Sequence, residues 1–230
     1  MAKHYLLTPG PTPVPEEIQA EMAKPIIHHR TPQYKEIFSE ASRLLKKVFK
    51  TGRDVITITS SGTGAMEASI INTLSKGDTA IVVRGGKFGE RFAGICEAYG
   101  VNVVPVDIAW GTAPDPGLID KALKDNKQAK AVFINQCETS TATVYDVKAI
   151  AAVVSKTPAI LVVDAISGLG ADELETDAWG VDIVVGGSQK GLMIPPGLSF
   201  CALSEKAWAM ASKSDLPKFY LNLKKYKKSL

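Results

Sequence analysis

Short apolar segments alternate with longer amphipathic segments along most of the chain. Most of the apolar segments are rich in β-branched residues, which favours strands over buried helices. They cover residues 55–59, 80–83, 102–106, 131–134, 160–163, 181–185 and 198–203. Helical spacing is found at residues 16–23, 33–50, 65–74, 89–99, 117–126 and 147–155, and again from Glu205. This alternation predicts a three-layer α/β/α fold with a mostly parallel sheet covered by helices on both faces.

Residues 1–15 differ from the rest of the chain. Prolines crowd residues 9–15 and, by fixing φ and removing donors, exclude a helix or a central strand there. We therefore expect an extended arm with Gly10 at its bend, acting as a tether or lining a pocket built elsewhere. Residues 16–230 contain no internal repeat and no dividing linker, which predicts one large domain.

Composition sets limits on the function. Hydrophobic residues make up 45% and charged residues 22%, and the net charge is +3, too small to indicate nucleic acid as a partner. The three cysteines lack CxxC spacing, and His28 and His29 are adjacent, so we expect neither a disulfide framework nor a metal site. Without a signal-peptide pattern or a membrane-length apolar run, we expect a soluble cytoplasmic protein.

The first candidate chemistry follows residues 55–59. Ser61, Gly62 and Thr63 open directly into a predicted helix. Ligands of open α/β sheets bind beyond the carboxyl ends of the strands, and small residues there let backbone N–H groups approach an anion at a helix start. An ordinary Ser/Thr helix cap is the alternative.

Two further loops follow strands of the predicted sheet. Phe88 lies between glycines after residues 80–83, where it either packs under the next layer or stacks on a planar ring. Thr139 belongs to a hydroxyl-rich loop after residues 131–134. Such a loop can hydrogen-bond a polar ligand or satisfy its own backbone.

Asp164 closes the apolar segment 160–163. A carboxylate in this position is costly unless it meets a cation or several donors. It is either a structural cap or the partner of a ring nitrogen that must stay protonated. Ile166, two residues on, would point to the same side and could pack against that ring.

Lys190 follows the segment 181–185, which we expect Gly186 and Gly187 to end with a sharp turn. An apolar loop comes next, so the lysine can be partly desolvated, which lowers its pKa and favours Schiff-base chemistry. The alternative is a lysine whose ammonium group reaches water. A phosphate-binding turn, a stacking aromatic, an aspartate for a ring nitrogen and such a lysine together describe a site for pyridoxal phosphate (PLP).

Three motifs resemble those of the class V aminotransferases. They are Ser-Gly-Thr-Gly-Ala-Met-Glu-Ala at 61–68, Asp-Ala-Ile-Ser at 164–167 and Gly-Ser-Gln-Lys-Gly at 187–191. Leu-Thr-Pro-Gly-Pro-Thr at 7–12 agrees with the alanine–glyoxylate and serine–pyruvate group. The resemblance implies the large domain of fold type I PLP enzymes, with a seven-stranded mixed sheet, and a homodimer.

The resemblance also implies a role for each matching residue. Lys190 would form the Schiff base with the cofactor, and Asp164 would pair with its pyridine nitrogen. Phe88 would stack on one face of the ring, and Ile166 would cover the other.

The resemblance also implies which residues would contact the cofactor phosphate, the ring hydroxyl and the substrate. Gly62 and Thr63 would bind the phosphate through their backbone, with Gln189 assisting. Thr139 would lie near the ring hydroxyl, and Gly10 would belong to a substrate-binding arm.

The sequence departs from the family pattern at two places. Ala142 stands where the family loop has glycine, and the sequence ends at Leu230. Family members continue into a small carboxyl-terminal domain that supplies the arginine for the substrate carboxylate. We therefore expect a fragment of a longer enzyme, or a sequence from which residues are omitted.

The implied activity is transamination of a small amino acid, alanine or serine, with the 2-oxo acid glyoxylate or pyruvate as acceptor. Lys190 would act as general base and acid. One alternative is a PLP-dependent lyase of the cysteine-desulfurase type, although those enzymes usually have histidines where this chain has Phe88 and Gln189. A non-catalytic subunit that retains the fold is the other.

Overall fold

Seven strands form one mixed sheet in the computed structural model, which describes residues 6–229. Residues 1–5 of the predicted arm and Leu230 lie outside the described residues. The strands are β1 (Val55–Thr59), β2 (Thr79–Arg84), β3 (Asn102–Asp107), β4 (Ala129–Asn135), β5 (Cys137–Glu138), β6 (Thr143–Val144), β7 (Ile160–Asp164), β8 (Ile183–Gly187) and β9 (Leu198–Leu203). The helices are α1 (Glu16–Met22), α2 (Pro32–Val48), α3 (Gly62–Thr73), α4 (Lys87–Ala98), α5 (Pro116–Asp125), α6 (Val147–Val154), α7 (Glu205–Ala211) and α8 (Leu223–Lys227).

The strand order of the large sheet is β1-β9-β8-β7-β4-β2-β3. Strands β8, β7, β4, β2 and β3 run parallel to one another. Strand β9 runs antiparallel to both of its neighbours, β1 and β8. Every strand predicted from the sequence is present in this sheet. The predicted α/β class and the mixed, mostly parallel sheet are confirmed.

The core lies on both faces of the sheet. Along β4, Phe133 packs into the cluster on one face, whereas Val132 and Ile134 pack into the cluster on the other. Strand β7 alternates in the same way, because successive side chains of a strand point to opposite faces. Helices therefore cover the sheet on both sides and leave its carboxyl edge for a site. No helix within residues 6–229 has the length and hydrophobicity needed to span a bilayer.

The predicted turn at Gly186 and Gly187 is wrong, because both residues continue β8. A Cβ atom at Gly186 would lie 2.9 Å from Cδ2 of Leu169, and one at Gly187 would lie 3.1 Å from Cγ2 of Ile166. The two glycines thus allow close packing against the strand rather than a change of direction. The strand also begins at Ile183, later than residues 181–185 predict.

Three elements were not predicted from the sequence. Strands β5 and β6 form a separate antiparallel pair within the loop after β4, and α8 carries lysines of the carboxyl-terminal run. The division into an arm at residues 1–15 and a large domain at 16–230 stays a prediction.

Candidate active site

Lys190 lies just beyond the carboxyl end of β8 and is only 9% exposed. Burial lowers the pKa of its amine, and the charge of Asp164 opposes that shift only in part. Within residues 6–229, no hydrogen bond or ion pair engages its Nζ atom. The prediction of a partly desolvated lysine at the sheet edge is therefore met in the structure.

Asp164 ends β7, the strand next to β8. Its Oδ1 accepts from the backbone N–H of Ile166 at 2.9 Å and its Oδ2 from Nδ2 of Asn135 at 3.0 Å. The residue is 4% exposed, and burial raises the pKa of its carboxyl group to about 6. No lysine or arginine of the described chain forms an ion pair with it. Asp164 caps the loop backbone, yet two hydrogen bonds leave acceptor capacity for a further donor.

Helix α3 begins at Gly62, directly after β1. The hydroxyl of Ser61 does not cap it, so a side-chain cap does not explain this stretch. In the part of the chain that the structure describes, the N–H groups of Gly62 and Thr63 donate to no acceptor. A Cβ atom at Gly62 would overlap Cδ1 of Ile166, so a larger residue here would require the Ile166 side chain to move. A helix start with free N–H groups is typical of a phosphate site.

Phe88 is half-buried in the first turn of α4, and Glu138 holds that turn in place. Oε2 of Glu138 accepts from the N–H groups of Phe88 and Gly89, both at 3.1 Å. Oε1 accepts from the Ser140 hydroxyl at 2.6 Å. Sequence reasoning missed Glu138; its only signal was an acidic residue in a hydroxyl-rich loop after a buried strand.

Thr139 and Ile166 link the loops after β4 and β7. The hydroxyl of Thr139 hydrogen-bonds the hydroxyl of Ser167. The Ile166 side chain packs between Gly62 and Gly187, so it lies beside the start of α3. Both predicted residues thus belong to the same sheet edge as Lys190 and Asp164.

The amino-terminal arm contacts the lysine directly. A Cβ atom at Gly10 would overlap Cδ of Lys190. The N–H of Thr12 donates to the Gln189 carbonyl at 3.1 Å, and its hydroxyl donates to the Lys190 carbonyl at 3.0 Å. The arm therefore lines the site, which is one of the two roles expected for it.

The free groups at this edge fit PLP. The amine of Lys190, the carboxyl of Asp164 and the free N–H groups of α3 follow strands of one sheet edge and are the kinds of group that an aldehyde, a ring nitrogen and a phosphate would need as partners. Oε1 of Gln189 is also buried without a hydrogen-bond partner in the described chain. In addition, residues 6–229 contain no cluster of side chains suited to a metal ion. The roles of the individual site residues stay predictions.

Ala142, the residue that departs from the family loop, has a φ of 54°. This left-handed conformation costs an L-residue with a side chain roughly 1–2 kcal/mol. The glycine of the family pattern would occupy the same position without that strain.

Comparison with known proteins points to one family. A family model described as aminotransferase class-V matches residues 4–216. The chain is 44% identical over 230 residues to the "Soluble hydrogenase 42 kDa subunit" of Anabaena cylindrica, covering 99% of this chain and 60% of that protein. It is 39% identical to a serine–glyoxylate aminotransferase of Hyphomicrobium methylovorum, covering 88% of this chain and 51% of that protein.

A solved structure agrees with this result. The aspartate aminotransferase of Thermus thermophilus, described as belonging to subgroup IV, matches with a TM-score of 0.90 and 35% identity. The match covers 98% of this chain and 63% of that one. The chain thus spans roughly half to two thirds of the length of the proteins it matches.

Proposed function

The chain belongs to the class V aminotransferases, and from this premise we propose that it catalyses PLP-dependent transamination. The amino donor is a small amino acid, alanine or serine, and the acceptor is glyoxylate or pyruvate. The observation that carries the proposal is the pair formed by Lys190 and Asp164. A buried amine and a buried carboxyl, neither with an ion-pair partner among the residues that the structure describes, lie at the ends of adjacent strands. Family membership supports PLP as the group that satisfies both.

Each site residue has a separate role in the proposed reaction. PLP, when bound, supplies an electron sink for negative charge at the substrate α-carbon. Nζ of Lys190 would hold the cofactor covalently and, once the substrate amine has displaced it, would accept and return the α-proton. Burial lowers the pKa of this amine, which favours its neutral, proton-accepting form. With a pKa of about 6, Asp164 is mostly ionised at neutral pH and can accept from a protonated ring nitrogen. The free N–H groups at the start of α3 bind the phosphate.

The relatives support the substrate class only in part. The similar protein of Hyphomicrobium methylovorum is named for serine and glyoxylate, and that of Thermus thermophilus is named for aspartate. Alanine or serine therefore remains the proposed donor, to be tested against aspartate.

We further propose a cytoplasmic homodimer. One face of α2 leaves Ile37 56% exposed and Leu44 44% exposed. Apolar side chains on one face of a helix are typical of an interface, and a second copy would cover them. Sedimentation equilibrium tests the proposed dimer.

Two other functions follow from the fold. A non-catalytic subunit is favoured by the name of the Anabaena relative. A lyase of the cysteine-desulfurase type is less well supported, because Phe88 cannot transfer protons. Burial also raises the pKa of Cys201 to about 12 and raises that of Cys137, so neither thiol is prepared to act as a thiolate.

The test is covalent labelling of the protein. The protein is incubated with PLP, reduced with borohydride and mapped by mass spectrometry, and we expect the label on Lys190 and its loss in Lys190→Ala. Lys218 is an internal control, because burial also lowers its pKa but its amine donates to the carbonyls of Ile71 and Leu216 at 3.0 and 2.9 Å. A label on Lys218, or none, contradicts the assignment.

Turnover then separates the functions. The unreduced, PLP-loaded protein should convert L-alanine or L-serine in the presence of glyoxylate or pyruvate, with L-aspartate as the comparison. Cofactor attachment without transfer of any amino group would favour the non-catalytic subunit.

A further inference from the structure

Arg91 connects the starts of two helices at the site. Its Nη1 donates to the hydroxyl of Thr63, in the first turn of α3, at 2.9 Å. Its guanidinium carbon lies 4.6 Å from the ring centroid of Phe88, in the first turn of α4. Helices α3 and α4 follow β1 and β2, which are not neighbours in the sheet. Arg91 thus joins two parts of the site that the sheet itself does not bring together.

The hydrogen bond from Arg91 sets the direction of the Thr63 hydroxyl. A hydroxyl has one hydrogen to donate and two lone pairs to accept with. Because the oxygen of Thr63 accepts from the guanidinium, its hydrogen is directed elsewhere. It can then donate to an acceptor beside the free N–H groups of Gly62 and Thr63.

The charge of Arg91 is also free to act on a ligand. No carboxylate of residues 6–229 forms an ion pair with it. Burial raises the pKa of the Asp164 carboxyl, and the charge of Arg91 is among the influences that oppose this rise. Its field therefore extends from the start of α3 to the proposed ring-nitrogen end of the site.

We propose that Arg91 is a positioning residue for a phosphate monoester dianion at the start of α3. It orients the Thr63 hydroxyl as a donor to a phosphate oxygen and adds one positive charge. The inference rests on the proposed function, since the ligand that carries the phosphate is PLP.

The test compares PLP with pyridoxal, which lacks the phosphate. Binding is followed by visible absorbance and by quenching of tryptophan fluorescence, in the parent protein and in Arg91→Met. We expect PLP to bind about tenfold more weakly in the variant, as for one exposed charge-assisted hydrogen bond. Pyridoxal should change by less than about twofold, because it offers no phosphate oxygen to the Thr63 hydroxyl.

Lys87→Met is the matched control. Lys87 lies in the first turn of α4, and its amine pairs with Glu90 at 2.9 Å rather than with the site. The variant therefore removes one positive charge near Phe88 without touching Thr63. We expect it to leave the affinity for both ligands within about twofold of the parent value.

A double-mutant cycle separates positioning from general charge. Thr63→Val keeps the shape of the side chain but removes the hydroxyl through which Arg91 acts. Combined with Arg91→Met, it should weaken PLP binding by less than the product of the two single effects. Arg91→Lys, which keeps the charge but not the planar fork, should recover only part of the affinity.

Each outcome decides between the proposals. Equal weakening of PLP and pyridoxal in Arg91→Met shows a merely structural role and overturns the inference. Unchanged PLP binding overturns it as well, while leaving the proposed function intact. If the parent protein binds no PLP, both proposals fail together.

Discussion

Asp164→Asn should stabilise the cofactor-free protein at pH 8, even though the carboxylate it removes is needed for the proposed reaction. Burial raises the pKa of this group from 3.8 to about 6, so the folded state holds an ionised carboxylate there at a cost. The hydrogen bonds from Ile166 and Asn135 reduce that cost without removing it. A neutral amide avoids it altogether.

The structure can accept the amide. Oδ1 of Asn135 is buried and has no hydrogen-bond partner in the described chain. Turning the Asn135 amide over would therefore present an acceptor to the new Nδ2 at residue 164 without breaking a bond to Oδ1. The N–H of Ile166 keeps its acceptor, because asparagine retains one carbonyl oxygen.

The sign and size of the change in the free energy of unfolding follow from the pKa values of Asp164 in the unfolded and folded states. The unfolded chain releases this proton near 3.8 and the folded chain near about 6, so the folded state binds more protons between them. Its stability therefore falls as the pH rises through this window. A difference of about two pKa units means that the ionised Asp164 carboxylate destabilises the folded state by ~3 kcal/mol. This cost is present in full above pH 7 and falls to about half at pH 5, and Asp164→Asn removes it.

Urea unfolding of cofactor-free parent and variant at pH 5 and pH 8 measures this difference. Asp107→Asn is the control, because Asp107 is an exposed carboxyl whose pKa the Arg84 guanidinium lowers. Its removal should change the free energy of unfolding by less than about 1 kcal/mol, with the opposite sign. A gain for Asp164→Asn that is the same at both pH values, or a loss at pH 8, would refute the reasoning. In the loaded protein the same variant should lose most transamination, since an amide cannot hold the ring proton.

Two further variants test backbone positions. Ala142→Gly should raise the free energy of unfolding by about 0.5–1 kcal/mol, because the relief of left-handed strain at a φ of 54° exceeds the freedom that glycine adds to the unfolded chain. Thermal melting measures this change, and a lower melting temperature in the variant would contradict the prediction. Gly10→Ala should weaken covalent attachment of PLP, because the added methyl group overlaps the Lys190 side chain. Gly94→Ala is its control, since nothing lies within 4 Å of the added atom, and equal attachment in both variants would exclude a role for the arm.

The sequence predicts most of the fold because the relevant signals are local. The apolar segment at residues 160–163 became β7, which extends one residue further, and the apolar segment at residues 198–203 became β9 with the same ends. The antiparallel direction of β9 was not predicted for that particular strand, because strand direction depends on the connections and not on the pattern within a segment. The order of the strands in the sheet could not be predicted from the sequence for the same reason.

The same distinction between local signals and contacts distant in sequence applies to the candidate site. Asp164 and Lys190 stand out because a charge closing an apolar strand, or preceding an apolar loop, is unusual within a few residues of sequence. The role of Glu138 could not be predicted, because the N–H groups that it accepts from lie about 50 residues away along the chain. Gly186 and Gly187 misled the prediction, since a glycine required for close packing looks the same in sequence as one required for a turn.

The contact between the arm and Lys190 has a consequence for the order of folding. Thr12 and Lys190 are 178 residues apart. Within residues 6–229, two hydrogen bonds from Thr12 tie the arm to this segment, one to the Gln189 carbonyl and one to the Lys190 carbonyl. Closing so long a loop has a large entropic cost that a small contact repays only when the sheet is already formed. The arm is therefore expected to dock late and to undock without unfolding the sheet. The contact between the amino-terminal arm and Lys190 is thus expected to be among the last to form, so the surroundings of the reactive amine are completed only at the end of folding.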